Sequence, residues 1–162
     1  MGASNGMNSA GAGMYWGLYA VPAPAAIADI EEGQNWNELT DVKSINGVPV
    51  EASTTDVTHL RSPQFFKEKV PGFVDGGQNT FRLNYAKGLM TELVSLMPGS
   101  ADAPRTSPAF GRLQFAVVFP DDGVWVFWAF LKSAPFEVPE DNGVTIEVTL
   151  EISGPPVWYA FA

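Results

Sequence analysis

Few side chains in this sequence can do covalent or acid–base chemistry. His59 is the single histidine, and there is no cysteine. Thiolate catalysis, disulfides and cysteine metal sites are excluded, and the chain tolerates a reducing or an oxidising compartment. A general base needs a nucleophile within hydrogen-bond reach and a third group to orient it. No serine–histidine–acid set can be assembled around His59, so it reads as a surface residue. Asp121-Asp122 offers two carboxylates, but the spaced oxygen ligands of a calcium loop are missing. The pair reads as turn chemistry within Pro120–Gly123. Asp75 is followed by Gly76-Gly77, which reads as a turn before it reads as a catalytic aspartate. No phosphate-cradling glycine loop or dinucleotide fingerprint follows a strand. The sequence therefore offers no catalytic residue, no cofactor-binding residue and no metal ligand.

Two patterns carry surface chemistry instead. Along Val144–Ile152, Val144, Ile146, Val148, Leu150 and Ile152 alternate with Thr145, Glu147, Thr149 and Glu151. Glu147 and Glu151 then form an acidic stripe on the polar face of a sheet. Trp125, Phe127, Trp128 and Phe130 form an aromatic cluster that is either core or, with Trp158 and Tyr159, a sugar-stacking platform.

These residues need strands to position them. A first strand is expected around Met14–Val21, stopped by Pro22 and Pro24. Asn37–Ile45 reads as a strand ending at Asn46-Gly47, a strong hairpin signal, with Val48–Glu51 returning. Phe65–Val70 and Asn79–Tyr85 read as strands joined by Pro71–Gly77. In the second, Phe81, Leu83 and Tyr85 share one face. Leu89, Leu93, Leu96 and Met97 switch to helical spacing, giving one helix over about 87–98 that Pro98-Gly99 ends. Gly99–Gly111 is a long Pro/Ser/Ala loop. Arg112–Phe119 and Val124–Leu131 form a hairpin; Phe136–Val138 is a short strand, and Val157–Phe161 an aromatic tail. The fold class is mainly β: an antiparallel β-sandwich or partial barrel with one flanking α-helix. One domain is expected, made of an N-terminal arm and first strand (1–35), a β-sandwich body (36–154) and a C-terminal tail (155–162).

Charge narrows the partners. The 162 residues carry a formal charge of −9, with nine Lys and Arg. Nucleic-acid binding from outside needs a basic patch, and these nine do not make one. An acidic surface can still serve to repel a nearby polyanion. Charged residues are only 17% of the chain and hydrophobic ones 46%, which suits a surface partly covered by other chains. No Lys or Arg precedes Lys43, so the start lacks the basic region of a secretory signal. Gly6 stands where a myristoylation motif wants Ser or Thr. No apolar run is long enough to span a bilayer.

The order of these features resembles one family. An X-Pro-Gly-φ-x-Asp-Gly-Gly segment (Val70–Gly77) precedes an alternating strand (Asn79–Tyr85). An amphipathic helix, an apolar strand pair with an Asp-Asp-Gly turn, and Val144–Ile152 ending in Ser153-Gly154 follow. From about Trp36 to Gly154 the chain resembles the major tail tube protein of long, non-contractile-tailed, lambda-like bacteriophages. The resemblance implies a structural virion protein and no enzyme. Copies would form homohexameric rings that stack head to tail into a tail tube, assembled in the host cytoplasm. The tube would form around a tape-measure protein, between a tail-tip protein and a tail terminator. Viral DNA would pass through its acidic lumen without specific binding, and no membrane is involved. The N-terminal arm, the long loop and the C-terminal tail would bridge subunits or rings. Glu147 and Glu151 are the lumen-facing candidates, with strands around Glu38–Lys43 or Lys67–Lys69 as alternatives. Pro71, Gly72, Asp75, Gly76 and Gly77 are the candidate inter-subunit or inter-ring turn. The alternative function is a carbohydrate-binding or host-recognition β-sandwich using Trp125, Trp128, Trp158 and Tyr159.

Overall fold

The computed structural model describes residues 12–17, 30, 36–39, 42–47, 49–61, 63, 66–101, 105, 111–140 and 143–161. Its strands are β1 (Gly13–Gly17), β2 (Asn37–Leu39), β3 (Val42–Ile45), β4 (Glu51–Asp56), β5 (Lys69–Asp75) and β6 (Gln78–Asn84). After the helix α1 (Leu89–Leu96) come β7 (Leu113–Phe119), β8 (Gly123–Ser133), β9 (Phe136–Glu137), β10 (Thr145–Ile152) and β11 (Val157–Ala160). All but two of these strands join one nine-stranded sheet in the order β2-β1-β7-β8-β10-β6-β3, with β11 on β8 and β9 on β10. Every pairing is antiparallel. β4 and β5 pair only with each other.

Period-two alternation decides which face each strand buries. Ile146, Val148 and Leu150 of β10 and Leu83 of β6 are fully buried, and Phe81 nearly so. They meet Phe115, Phe127 and Leu131 in the larger core cluster. Leu89, Leu93 and Leu96 bring α1 onto the same cluster. Met97 lies outside the helix as its C-cap, 36% exposed; the helix stops at Leu96, two residues before the expected end, because Pro98 holds Met97 in an extended conformation. The opposite face of β1, β7 and β8 is covered separately. Tyr15, Ala116, Val118, Val124 and Val126 bury there against Ile30 and Trp36, with Tyr159 and Phe161 alongside. β8 is apolar on both faces because it has a core on each side.

Long-range pairing overrides several local signals. Asn37–Leu39 and Val42–Ile45 are not one strand: β2 pairs with β1, while β3 pairs with β6. Asn46-Gly47 is no hairpin turn, since its flanking strands β3 and β4 lie in different sheets. The buried amide of Asn79 donates to the carbonyls of Asn46 and Gly47, and Asn46 N–H donates to Thr80 O at 2.9 Å. Those bonds hold the segment as a corner. Tyr85 is 53% exposed rather than sharing the face of Phe81 and Leu83, because it lies beyond the end of β6. The C-terminal segment docks on its own chain: Trp158 stands opposite Trp125 on β8, ring centroids 5.4 Å apart. Residues 18–21 of the expected first strand, and most of Gly99–Gly111, lie outside the described residues.

Candidate functional site

Pro71–Gly77 is not a single turn. Lys69–Asp75 forms β5, and β4 and β5 make a two-stranded arm. Pro71 and Gly72 lie mid-arm, Pro71 opposite Thr54 beside an irregularity in register. Proline is tolerated there because a two-stranded ribbon has only edge strands. Gly72 makes room for Ser53: a Cβ would come within 2.4 Å of Ser53 Oγ. That hydroxyl donates to Phe73 O at 3.1 Å.

Asp75, Gly76 and Gly77 form the corner where the arm meets the sheet. The Asp75 carboxylate accepts from Gly77 N–H at 2.9 Å, an Asx turn. Gly77 has φ of 67°, a conformation that costs a residue with a side chain roughly 1–2 kcal/mol. Gly76 is buried so tightly that a Cβ would lie 2.5 Å from Ile152 Cγ2. The Ile152 N–H donates to Gly77 O at 3.0 Å, tying the corner to β10.

Every residue of β4 and β5 is exposed. At the far end, Thr58 N–H donates to Asp56 Oδ1 at 2.9 Å, and the Thr58 hydroxyl donates to the same oxygen. These bonds favour the ionised carboxylate and hold the Asp56 pKa below its ordinary value. Glu68 N–H donates to Thr58 Oγ1 at 2.9 Å, which clamps the tip. His59 stands 3.7 Å from Glu68 in this tip. Leu60 is 106% exposed, Phe73 95% and Phe66 69%. The arm leaves large apolar groups in water with no covering layer from the described residues.

Glu147 and Glu151 occupy the polar face of β10, as the alternation requires. Glu147 faces Arg82 across the β10–β6 ladder, and its Oε2 accepts from Arg82 Nε at 3.0 Å and Nη2 at 3.0 Å. Glu151 lies 3.6 Å from Lys132 Nζ and accepts from Gln78 Nε2 at 2.9 Å. The sequence showed the stripe but not its cationic partners, which come from β6 and β8. The patch is charge-paired rather than bare acid.

The aromatic residues do not make one platform. On β8, Trp125 and Trp128 point to opposite faces. Trp125 packs against Trp158 with the rings tilted by 57°, Trp128 lies under the Arg112 guanidinium at 4.9 Å, and Tyr159 joins the second core cluster. Asp121 and Asp122 are exposed in the β7–β8 turn, where Asp122 N–H donates to Phe119 O at 3.0 Å. Among the described residues, no group of three or more His, Asp or Glu could hold a metal ion. No helix among them is long and apolar enough to cross a membrane.

Residues 24–159 match the family described as "Lambda phage tail tube protein, TTP". No curated protein matches the chain in sequence. Among solved structures, the fold is similar to a chain from the tail of an empty gene transfer agent particle, refined with C6 symmetry. That chain has a TM-score of 0.60 and 14% identity over 82% of this chain and 92% of its own. A chain from the virion of a native gene transfer agent particle has a TM-score of 0.59 and 15% identity, covering 77% and 89%. The SPP1 tail tube has a TM-score of 0.51 and 11% identity, covering 91% and 77%.

Proposed function

We propose a ring-by-ring assembly for this chain, which belongs to the lambda phage tail tube protein family and is a structural protein of the virion tail. Copies close into homohexameric rings, and rings stack head to tail into the tube. The single observation that carries this reading is the β4–β5 arm. A two-stranded ribbon is marginal in water, yet this one stands off the sheet with every residue exposed. Its missing layer is supplied by another copy. Pro71, Gly72, Asp75, Gly76 and Gly77 then set the arm's shape and exit angle between subunits or rings. Among the described residues, the short strands β2 and β3 end the sheet on either side with no further strand paired to them, and a closed ring removes such edges. The six-fold symmetry of the related gene transfer agent tail supports a hexamer.

The polar face of β6 and β10 is the candidate lumen wall, with Glu147 and Glu151 facing the channel. Both carboxylates engage a cation, Glu147 that of Arg82 on β6 and Glu151 that of Lys132 on the neighbouring β8. Phosphates gain salt-dependent affinity from each cation they contact, so a wall of occupied cations lets DNA pass. The chain's charge of −9 acts in the same direction. The role is architectural and not enzymatic. A tape-measure protein, a tail-tip protein and a terminator are the further partners.

Electron microscopy of concentrated purified protein tests the reading. Rings or tubes of uniform diameter are expected. A strictly monodisperse monomer, even with tail-tip complexes added as nuclei, would refute it.

A further inference from the structure

A cleft of about 500 Å³ opens at the root of the arm, its lining including Val50, Val74, Asp75, Trp125, Ile152 and Pro156. That is the size of pockets that accept a compact apolar group. Its charged surroundings are acidic. Asp75 lines it, and Glu51 follows Val50 along the chain; both are exposed. Asp121 and Asp122 lie in the turn just before Trp125. No Lys or Arg lines it.

The far end of the same arm is the complement. Leu60 and Phe66 project there, 106% and 69% exposed. Arg61, Lys67 and Lys69, three of the chain's nine basic residues, lie in the same stretch, each exposed. Asp56 and Glu68 share the tip, so against those three cations its net charge is +1, on a chain of net charge −9, beside bare apolar groups.

The tip cannot reach its own cleft. The ladder runs from Glu51↔Asp75 at the root to Asp56↔Lys69, a rise of roughly 17 Å at the usual strand spacing. We propose that Leu60 and Phe66 of one copy seat in the root cleft of a second copy, with Arg61, Lys67 and Lys69 facing the second copy's Glu51 and Asp75. The occupant is a second copy because the family builds a polymer of this chain and because both charge and apolarity match across the pair. The contact joins two different patches, so it is heterologous and links copies in series, closing into a ring where the rotation permits and running along the stack where it does not. It rests on the tube reading and adds its residue-level lock.

The absence of cysteine makes a clean cross-linking test. Leu60→Cys with Val50→Cys, assembled into tubes and oxidised, should give a disulfide-linked ladder of many chains on a denaturing gel. Either single substitution should give no species beyond a dimer. Leu60→Asp, which forces a charge into the cleft, should lower the polymerised fraction at least tenfold while leaving the monomer's melting temperature unchanged. Normal tubes without a ladder, or normal tube yield from Leu60→Asp, would overturn the tip-to-cleft contact and leave the tube reading standing. Wild-type protein that forms no tube under any nucleating condition would remove the tube reading itself.

Discussion

Gly76→Ala tests whether the arm's exit angle is built into the monomer. The new Cβ would sit 2.5 Å from Ile152 Cγ2 and 3.0 Å from Ile152 Cβ. Carbon atoms at rest are about 3.5–4.0 Å apart, so the overlap is about 1 Å or more. Ile152 is 6% exposed within the main core, and its β-branch restricts χ1 while the packed neighbours leave little room for another rotamer. The side chain therefore cannot swing away, and the corner must move. Overpacking of this kind costs about 1–3 kcal/mol. For a chain of this length that lowers the melting temperature by roughly 2–12 °C. The assembly defect should exceed the stability defect. A tilt of about 10° at the root displaces a tip roughly 17 Å away by about 3 Å, nearly one strand residue. Thermal melting of the monomer and the sedimentable tube fraction would be measured side by side. Gly47→Ala is the control, because nothing lies within 4 Å of a Cβ there. If Gly76→Ala melts and polymerises like wild type, the corner is compliant and the argument from Ile152 fails.

The Trp16 indole donates to Glu92 Oε1 at 2.8 Å, joining β1 to α1. Glu92→Ala should destabilise the chain by about 1.5–3 kcal/mol in urea titration, and Glu92→Gln by less, since an acceptor is retained. Leu150→Ala, at a fully buried position, should cost about 2–5 kcal/mol by the same measurement. Glu147→Gln with Glu151→Gln should change stability by under about 1 kcal/mol, since both pairs are solvent-exposed. Tubes should still form, but uncovering Arg82 and Lys132 should make retained DNA more salt-sensitive; salt-independent passage identical to wild type would refute the lumen assignment. Asp56 has its carboxyl pKa lowered by Thr58, so the stability it lends the tip is complete above its unfolded pKa and is lost as pH falls through the lowered folded value. Protection factors of the Thr58 and Glu68 amides, taken against the intrinsic exchange rate at each pH, should fall below about pH 4, and Asp56→Asn should abolish that pH dependence.

Where a strand carries its own alternation, its place could be read from residue types alone. Val144–Ile152 is the clearest case: Ile146, Val148 and Leu150 are fully buried, and Glu147 and Glu151 face outward. The 3.6-residue spacing of Leu89, Leu93 and Leu96 and the Pro120–Gly123 turn are equally local, because each depends on neighbours in sequence. The arm escaped notice because Glu51–Asp56 contains no apolar alternation and Pro71-Gly72 looks like a turn. Only the partner strand makes both into a ribbon. Asn46-Gly47 misled for the converse reason: its turn chemistry is real, but Asn79, from another strand, takes up its carbonyls. Period two alone puts Trp125 and Trp128 on opposite faces of a strand, but which partner each meets, Trp158 or Arg112, depends on what covers the two sides of β8. The pairing of Arg82 with Glu147 and of Lys132 with Glu151 likewise needs β6, β8 and β10 side by side. Backbone periodicity is written within one segment, whereas register, charge pairing and the cleft at the arm's root arise from segments far apart in the chain. Those belong to the tertiary structure, because no stretch of sequence encodes its neighbour.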